Sequence, residues 1–204
     1  RFLRSRAAVF VPLYLGFALV FVAVYGAAAW TPTMLMRGFG ATRAEVGQWL
    51  GPLSMTASIL GAVVGGTIID RSARRGAKVG HLGILALVPF LIIPSGFAVL
   101  APGFVASAVL VASANLFVPT VSTGVLATLQ SSMPPDMRGL SVALTGLVNT
   151  LLGATFGPLI IAALTDRVFV DPAAVGYSIG WVVVPSLLLA SAAFAWARRE
   201  LARG

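Results

Sequence analysis

The sequence carries very little charge, which excludes a water-soluble globular domain. Only 10% of its 204 residues are Asp, Glu, Lys or Arg, whereas about 25% is usual for soluble domains. Apolar residues make up 58% of the chain, and the mean hydropathy is +0.97. The connections between the apolar stretches are too short to hold an aqueous domain of any size.

Cysteine is absent and histidine nearly so. Without cysteine the 204 residues can form neither a disulfide framework nor a thiolate site. A single histidine, His81, cannot build a histidine-rich metal site. We therefore expect no cofactor and no metal. The net charge of +8 fits a membrane protein that contacts anionic lipid, and it requires no nucleic-acid partner.

Long stretches without charge predict six membrane-spanning helices. A helix needs about 20 apolar residues to cross a bilayer. Four of the charge-free stretches fit one span each, and residues 79–135 fit two, divided by proline and glycine at 94–103. The sequence therefore predicts an all-α membrane protein in which residues 1–204 form one bundle of six transmembrane helices. The predicted spans are 9–35, 46–69, 80–100, 104–131, 140–164 and 175–197.

Positive charge lies mostly on one side of these spans. Lys and Arg in short loops mark the cytoplasmic side. The N-terminal arm, the loops after the second and fourth spans and the C-terminal tail hold 11 of the 14 Lys and Arg residues. We expect both termini in the cytoplasm and the protein in the cytoplasmic (inner) membrane of a bacterium. Because the chain starts at Arg1, before a hydrophobic run too long for a signal peptide, we expect a cut within a longer protein.

The second and fifth spans end in similar segments. Asp70-Arg71 follows Gly61 by nine residues, and Asp166-Arg167 follows Gly157 by the same interval, 96 residues later. One Asp-Arg pair is expected at the cytoplasmic face and the other outside, as in a three-plus-three inverted repeat. Chance remains the alternative, since Asp-Arg is common after apolar runs.

Small residues recur on one helical face of the same two spans. Close backbone approach through small residues is how membrane helices pack. Such a face suits either a static bundle or helices that slide, and the sequence does not decide between them. The two sets are Gly47, Gly51, Ser54, Ser58, Gly61 and Gly65, and Gly146, Thr150, Gly153 and Gly157.

Polar side chains near the middle of the spans are the candidate substrate-binding residues, because buried polar groups usually face the bundle interior or a cavity. Asn115 and Asn149 come first, since an amide offers both donors and an acceptor. Tyr25, Thr120 and Thr150 follow. The alternative is that these residues only join helices to one another. With no charge in mid-span to carry a coupled proton, the apolar wall suits an amphipathic organic solute.

The string after the second span reads Gly66-Thr-Ile-Ile-Asp70-Arg71-Ser-Ala-Arg74-Arg75. Asp70 lies at a helix C-terminus, where the helix dipole disfavours negative charge, so it requires a basic partner or another helix N-terminus. We expect the contact of this carboxylate with its partner to break when the bundle moves, and we call this contact the latch. The alternative is a solvated charge cluster that only sets topology. The string resembles the cytoplasmic loop motif of the major facilitator superfamily, with Ala73 where that motif has glycine.

Other segments resemble the C-terminal half of spinster-like members of that family, and together the resemblance covers essentially the whole chain. They are Trp30-Thr-Pro32, Arg37-Gly-Phe-Gly40, Pro135-Asp-Met-Arg138-Gly139, and Asn149 with Gly153, Gly157-Pro158 and Asp166. The resemblance implies helices seven to twelve of a twelve-helix transporter that works by alternating access. The implied partners are an N-terminal six-helix half, the lipid bilayer and a small-molecule substrate, which in spinster-like relatives includes lysolipid- and sphingolipid-type molecules. The implied gating residues are Gly66, Asp70, Arg71, Arg74, Arg75 and Arg138.

Other classes of membrane protein fit the sequence less well. An intramembrane protease needs a Ser–His or paired-Asp arrangement within the bilayer, whereas His81 and every Asp lie at span ends. A water channel needs two Asn-Pro-Ala segments, and the sequence has none. An ATP-driven permease subunit usually has a longer coupling loop than 71–79. A non-transporting six-helix module that acts with a partner chain remains the alternative to a transporter, and an enzyme is not expected.

Overall fold

The computed structural model describes residues 6–74 and 78–203. Of residues 73, 74, 78 and 79 it describes the backbone only. In these residues six helices are long and apolar enough to cross a membrane, and no strand occurs. This confirms the predicted fold class, with six candidate membrane-spanning helices. The helix Gly80–Leu100 has the bounds of the predicted third span, and the other five helices extend beyond the predicted spans. The helices are α1 (Ala7–Phe39), α2 (Arg43–Ser72), α3 (Gly80–Leu100), α4 (Phe104–Ser132), α5 (Pro135–Phe169) and α6 (Pro172–Arg203).

Three of the spans depart from regular α-helix within the bilayer. α3 tightens to a 3₁₀-helix over Ile93–Leu100. α4 consists of two α-helices, Phe104–Ala114 and Val118–Ser132, separated by three turn residues. α5 widens into a π-helix over Asn149–Phe156. Non-helical backbone at membrane depth is tolerated only where it is buried in protein or lines a cavity. The break in α4 is therefore a candidate position for a binding site.

The connection between α1 and α2 is fixed by two helix caps. Gly40 ends α1 in the left-handed conformation, with φ of 67°. At the start of α2 the amide of Thr42 donates to Glu45 Oε2 at 2.8 Å, and the amide of Glu45 donates to Thr42 Oγ1 at 3.2 Å. This reciprocal pair is a capping box, which satisfies two amides that the first helical turn leaves without partners.

The packing of the spans has the pattern of two equivalent halves. α1 packs against α5 and α6, and α4 packs in the same way against α2 and α3. Contacts between α3 and α6 join the two groups. Exchanging α1, α2 and α3 for α4, α5 and α6 converts one set of contacts into the other. Because equivalent spans are three apart in the chain, they cross the bilayer in opposite directions, as an inverted repeat requires.

Two glycines show this repeat at the level of atoms. A Cβ atom on Gly61 of α2 would collide with the carbonyl oxygen of Leu116 in α4. A Cβ atom on Gly157 of α5 would collide with the carbonyl oxygen of Val22 in α1. Gly61 and Gly157 are the glycines that begin the two Asp-Arg segments, and their partners Val22 and Leu116 are also about one repeat apart. The predicted inverted repeat is therefore present in the fold.

The contact between α3 and α6 also brings small residues against backbone. Ser191 Oγ of α6 donates to the carbonyl oxygen of Ala86 in α3. A Cβ atom on Gly180 of α6 would lie 2.7 Å from the carbonyl oxygen of Gly96 in α3. Both contacts therefore set a small residue of α6 against a carbonyl of α3, so the two helices approach closely along their length.

Burial differs sharply between the spans. In the most apolar 18-residue stretch of each, 56% of residues are buried in α1 and 50% in α6, against 22% in α2 and 17% in α5. α1 and α6 therefore form the centre of the described bundle, whereas the equivalent spans α2 and α5 leave most of their surface uncovered. The largest fully buried side chains include Leu13, Leu82, Leu85, Leu129, Leu187 and Phe194.

Candidate functional site

The five predicted substrate-binding residues lie in four places. Tyr25 and Asn149 meet between α1 and α5. Asn115 lies at the break in α4 and lines a cavity beside α1. Thr120 is buried against α2, and Thr150 is exposed on α5. The structure therefore brings only two of the five residues into direct contact.

Tyr25 and Asn149 form a partly satisfied polar pair. Asn149 Nδ2 donates to Tyr25 Oη at 3.2 Å. Asn149 Oδ1 is buried and has no hydrogen-bond partner among the described residues. The backbone here is π-helical from Asn149 onwards, and Gly153 lies against Tyr25 and Phe21. Since an unpaired buried acceptor is costly, this amide joins α1 to α5 and also keeps an acceptor available for a further donor.

Two more hydrogen bonds join α1 to α5 on either side of this pair. Tyr14 Oη donates to the carbonyl oxygen of Ser141 at 3.3 Å. Trp30 Nε1 donates to the carbonyl oxygen of Pro158 at 3.0 Å. Together with Tyr25, these residues anchor α5 to α1 at three levels. For Tyr25 and Asn149, the alternative role of joining helices therefore has direct structural support.

Asn115 lies in a small cavity between α1 and α4, which we call the notch. The notch has a volume of about 60 Å³, and its walls are mostly small side chains, including Ala27 and Ala28 of α1 and Ala114 of α4. The amide of Asn115 makes no hydrogen bond with any described residue through its side chain. Ser95 of α3 also lines the notch, but its hydroxyl donates to the carbonyl of Ile92 in its own turn at 2.7 Å.

The backbone of α4 changes its hydrogen bonding beside the notch. The amide of Asn115 donates to the carbonyl of Ala112 at 3.0 Å, three residues back instead of four. The carbonyl of Val111 therefore loses its usual helical donor, the amide of Asn115. Val111 and Asn115 both line the notch, so the irregular turn of α4 forms part of its wall.

Proline causes the break in α4. Pro119 has no N–H, so the carbonyl of Asn115, four residues earlier, lacks its helical donor. The amide of Thr120 donates to Phe117 at 3.1 Å, which leaves the carbonyl of Leu116 without a donor in the described part of the chain. A Cβ atom on Gly61 would lie 2.8 Å from the Asn115 carbonyl oxygen. The glycine of α2 therefore packs directly on this broken turn.

Sequence reasoning missed the break in α4 and a buried contact of His81. Pro119 inside an apolar run was the available signal for the break, whereas nothing in the pattern indicated the histidine contact. His81 Nε2 lies 3.2 Å from the carbonyl oxygen of Ile69, which joins α3 to the end of α2. His81 Nδ1 is buried without a partner among the described residues.

The predicted gating residues lie at two helix ends. Asp70 and Arg71 are exposed, and Asp70 makes no ion pair or hydrogen bond with any side chain that the structure describes. Gly66 has open space where a Cβ atom would be. The side chain of Arg74 and the whole of Arg75 lie outside the described residues. The last of the set, Arg138, is exposed at the start of the α-helical part of α5, and the latch stays a prediction.

The comparisons with known proteins give one match. The family model described as Major Facilitator Superfamily matches residues 1–158, which include α1 to α4, the Asp70 string and the first part of α5. No curated protein and no solved structure matches the chain. In the described residues no group of three or more His, Cys, Asp or Glu could hold a metal ion.

Proposed function

Since the chain belongs to the major facilitator superfamily, whose members are membrane transporters rather than enzymes, we propose that it forms one six-helix half of an alternating-access transporter for a small amphipathic or lipid-like organic solute. Alternating access means that two six-helix bundles rock about a central site near the bilayer midplane. In this proposal the chain is the C-terminal half, its membrane is the bacterial inner membrane, and both termini are cytoplasmic.

The polar groups on the two sides of α1 carry the proposal. Within one turn of α1, Tyr25 pairs with Asn149 on one side, and Val24 and Ala28 line the notch of Asn115 on the other. Polar side chains in a bilayer usually face a cavity or the bundle interior. Here they interrupt a wall with no charged residue in mid-span, which suits a solute with a large apolar part and few hydrogen-bonding groups.

The uncovered surfaces of α2 and α5 support a second six-helix half as the partner. These two spans are the least buried of the six. Each also carries glycines with open space where a Cβ atom would be, at Gly47 and Gly51 in α2 and at Gly146 in α5. Small residues let helices approach closely in lipid. In the proposal these faces pack against the N-terminal half and slide on it.

The exposed carboxylate of Asp70 supports a gate at the cytoplasmic end of α2. It lies at a helix C-terminus, where the dipole disfavours negative charge, and it has no partner among the described side chains. In the proposal it pairs with the other half when the cytoplasmic side is closed, and Gly66, Arg71, Arg74, Arg75 and Arg138 support this contact. The spinster-like resemblance favours lysolipid- or sphingolipid-type solutes.

Flux in proteoliposomes tests this function. The full-length protein would be reconstituted and given fluorescent lysophosphatidylcholine or a fluorescent sphingoid base, with protein-free vesicles as the control. We expect saturable flux, slowed in Asp70→Asn with little change in solute affinity, because the substitution removes the charge of the latch and not the binding site. Unchanged flux in Asp70→Asn would refute the latch. No flux of any probe, together with co-purification of a second six-helix chain, would favour a non-transporting module.

A further inference from the structure

We infer that the notch beside Asn115 binds a neutral, hydroxyl-bearing group of the transported solute. This inference rests on the proposed transport function and adds the chemistry of one end of the solute. It follows from the position of the notch, from its polar groups, from the absence of charge around it and from its size.

The notch lies at the centre of the repeat. Its walls come mainly from α1 and α4, which are equivalent spans, and Ser95 of α3 and Val183 of α6 lie behind them. α3 and α6 are also equivalent spans, so the notch lies where the two repeats meet. On α1 it shares a helical turn with Tyr25 and is therefore level with the Tyr25–Asn149 pair. The two polar sites therefore lie at the same depth on opposite sides of α1.

The polar groups of the notch require a hydrogen-bonding ligand group. The side-chain amide of Asn115 has two donors and an acceptor, none of them paired with a described residue. Val111, whose carbonyl has lost the amide of Asn115 as its helical donor, lines the notch beside it. An apolar group that covered Asn115 would leave its amide unpaired, which is costly. A hydroxyl can donate to an oxygen and accept from the amide at the same time.

Charge is the property that the notch cannot accommodate. None of the residues that line it is ionisable, and the spans carry no charge at mid-depth. A carboxylate or an ammonium group would find no counter-ion among the residues of this chain that line the notch, and burying an unpaired charge costs far more than one hydrogen bond returns. This favours an alcohol or polyol end of the solute over an acid or an amine.

Size restricts the group further. Roughly 10–15 Å³ of such cavity volume holds one water molecule, so about 60 Å³ fits a few waters or one short hydroxyalkyl group. Ala27 and Ala114 form part of the wall, and a side chain as large as leucine at either position would fill the space, whereas the single sulfur atom of a cysteine would not. The notch therefore fits the tip of a solute, and the remainder would lie along the apolar face of α1 and α4.

Thiol labelling with matched reagents tests this inference and does not require the solute itself. The 204 residues contain no cysteine. With every cysteine elsewhere in the full-length protein replaced by serine, Ala114→Cys introduces a single thiol, in the notch of the membrane-reconstituted protein. Four methanethiosulfonates of similar length would be compared, which carry hydroxyethyl, propyl, sulfonatoethyl or trimethylammonioethyl groups. We expect the hydroxyethyl reagent to react about 3- to 10-fold faster than the propyl reagent, the factor of one neutral hydrogen bond, and both charged reagents to be slower.

A second substitution identifies the group responsible. Asn115→Leu in the Ala114→Cys background should remove the preference for hydroxyethyl over propyl, because it removes the amide and keeps a side chain of similar size. Ala154→Cys on the exposed surface of α5 is the matched control, where we expect no such preference. Equal rates of the hydroxyethyl and propyl reagents at the thiol in the notch, or a preference that survives Asn115→Leu, would overturn the inference. Labelling does not require transport, so loss of flux with an intact preference would instead count against the proposed function.

Discussion

The packing of α5 on α1 and the packing of α2 on α4 are equivalent in the repeat, yet they differ in how firmly they are held. Each places a glycine on a carbonyl, Gly157 on Val22 and Gly61 on Leu116. Three hydrogen bonds join α5 to α1, whereas none joins α2 to α4 in the described residues. The two repeats therefore share the glycine–carbonyl contact. Hydrogen bonds between side chain and partner helix add to it for α5, and among the described residues none adds to it for α2.

The partners of the two glycines also differ. Val22 lies inside the continuous α-helix of α1, so its carbonyl has a helical donor and a fixed position. Leu116 lies in the broken turn of α4, where the carbonyls of Asn115 and Leu116 lack their helical donors. α2 is therefore attached to α4 by fewer hydrogen bonds than α5 is to α1, and it packs on a turn without regular helical hydrogen bonds. Because α2 ends in the Asp70 string, we expect the gate to move with α2 while α5 stays on α1.

The largest difference should appear when a methyl group is added at each glycine. Gly157→Ala drives a Cβ atom into the backbone of an intact, hydrogen-bonded helix, so we expect a loss of about 2–3 kcal/mol in the free energy of unfolding. Gly61→Ala should cost only about 1 kcal/mol, because the broken turn can shift and α2 can move away. Chemical unfolding in detergent micelles would measure both.

Gly146→Ala is the control for this pair. It adds the same methyl group on α5 where the structure leaves open space, and helix propensity favours alanine over glycine by about 0.5–1 kcal/mol. We therefore expect it to be neutral or stabilising. Equal losses for Gly157→Ala and Gly61→Ala would contradict the difference between the two junctions.

Restoring the helical hydrogen bond at the break in α4 should make the α2–α4 contact more similar to the α5–α1 contact. Pro119→Ala supplies the amide that the Asn115 carbonyl lacks, and we expect amide hydrogen exchange over residues 115–121 to slow by about 5- to 10-fold, the factor for one hydrogen bond. The free energy of unfolding should change little, because losing the rigidity of proline in the unfolded chain costs about 0.4–1 kcal/mol. Unchanged exchange would show that Pro119 does not cause the break.

The smallest expected effect concerns one hydrogen bond of the anchored junction. Tyr25→Phe removes the hydroxyl that accepts from Asn149 and should cost about 0.6 kcal/mol, the usual value between membrane helices. A double-mutant cycle with Asn149→Leu should return a coupling of similar size. No coupling would mean that the pair does not help to hold α5, and a weaker affinity for the solute would then favour a purely binding role.

The fold was largely predictable because its signals are local. Runs without charge place the spans, since a bilayer requires a minimum apolar length. The Asp-Arg segments at Asp70 and Asp166 indicated the repeat, because equivalent loops carry equivalent charges. What the runs could not indicate was helix geometry inside a span, such as the π-helix from Asn149 or the break after Ala114. These depend on how neighbouring spans satisfy the backbone.

The candidate site was predictable by residue type and less so by arrangement. The sequence predicts Asn115 and Asn149 near mid-depth, but their partners depend on the rotation of each span about its axis, which one sequence does not specify. Thr120 and Thr150 are far less informative, because one is buried against Gly65 of α2 and the other is exposed. The small residues of α2 also differ in packing: Gly61 packs tightly on α4, whereas a Cβ atom on Gly47 would contact none of the described residues.

Distances between spin labels at repeat-equivalent positions test the central claim most directly. Val63 and Thr123 report on α2 and α4, Leu159 and Ala29 report on α5 and α1, and all four positions are exposed. In the reconstituted full-length protein, pulsed electron spin resonance should give a broad Val63–Thr123 distribution that shifts with lysophosphatidylcholine, and a narrow Ala29–Leu159 distribution that does not. Equally narrow distributions, or a broader one between α1 and α5, would contradict the account.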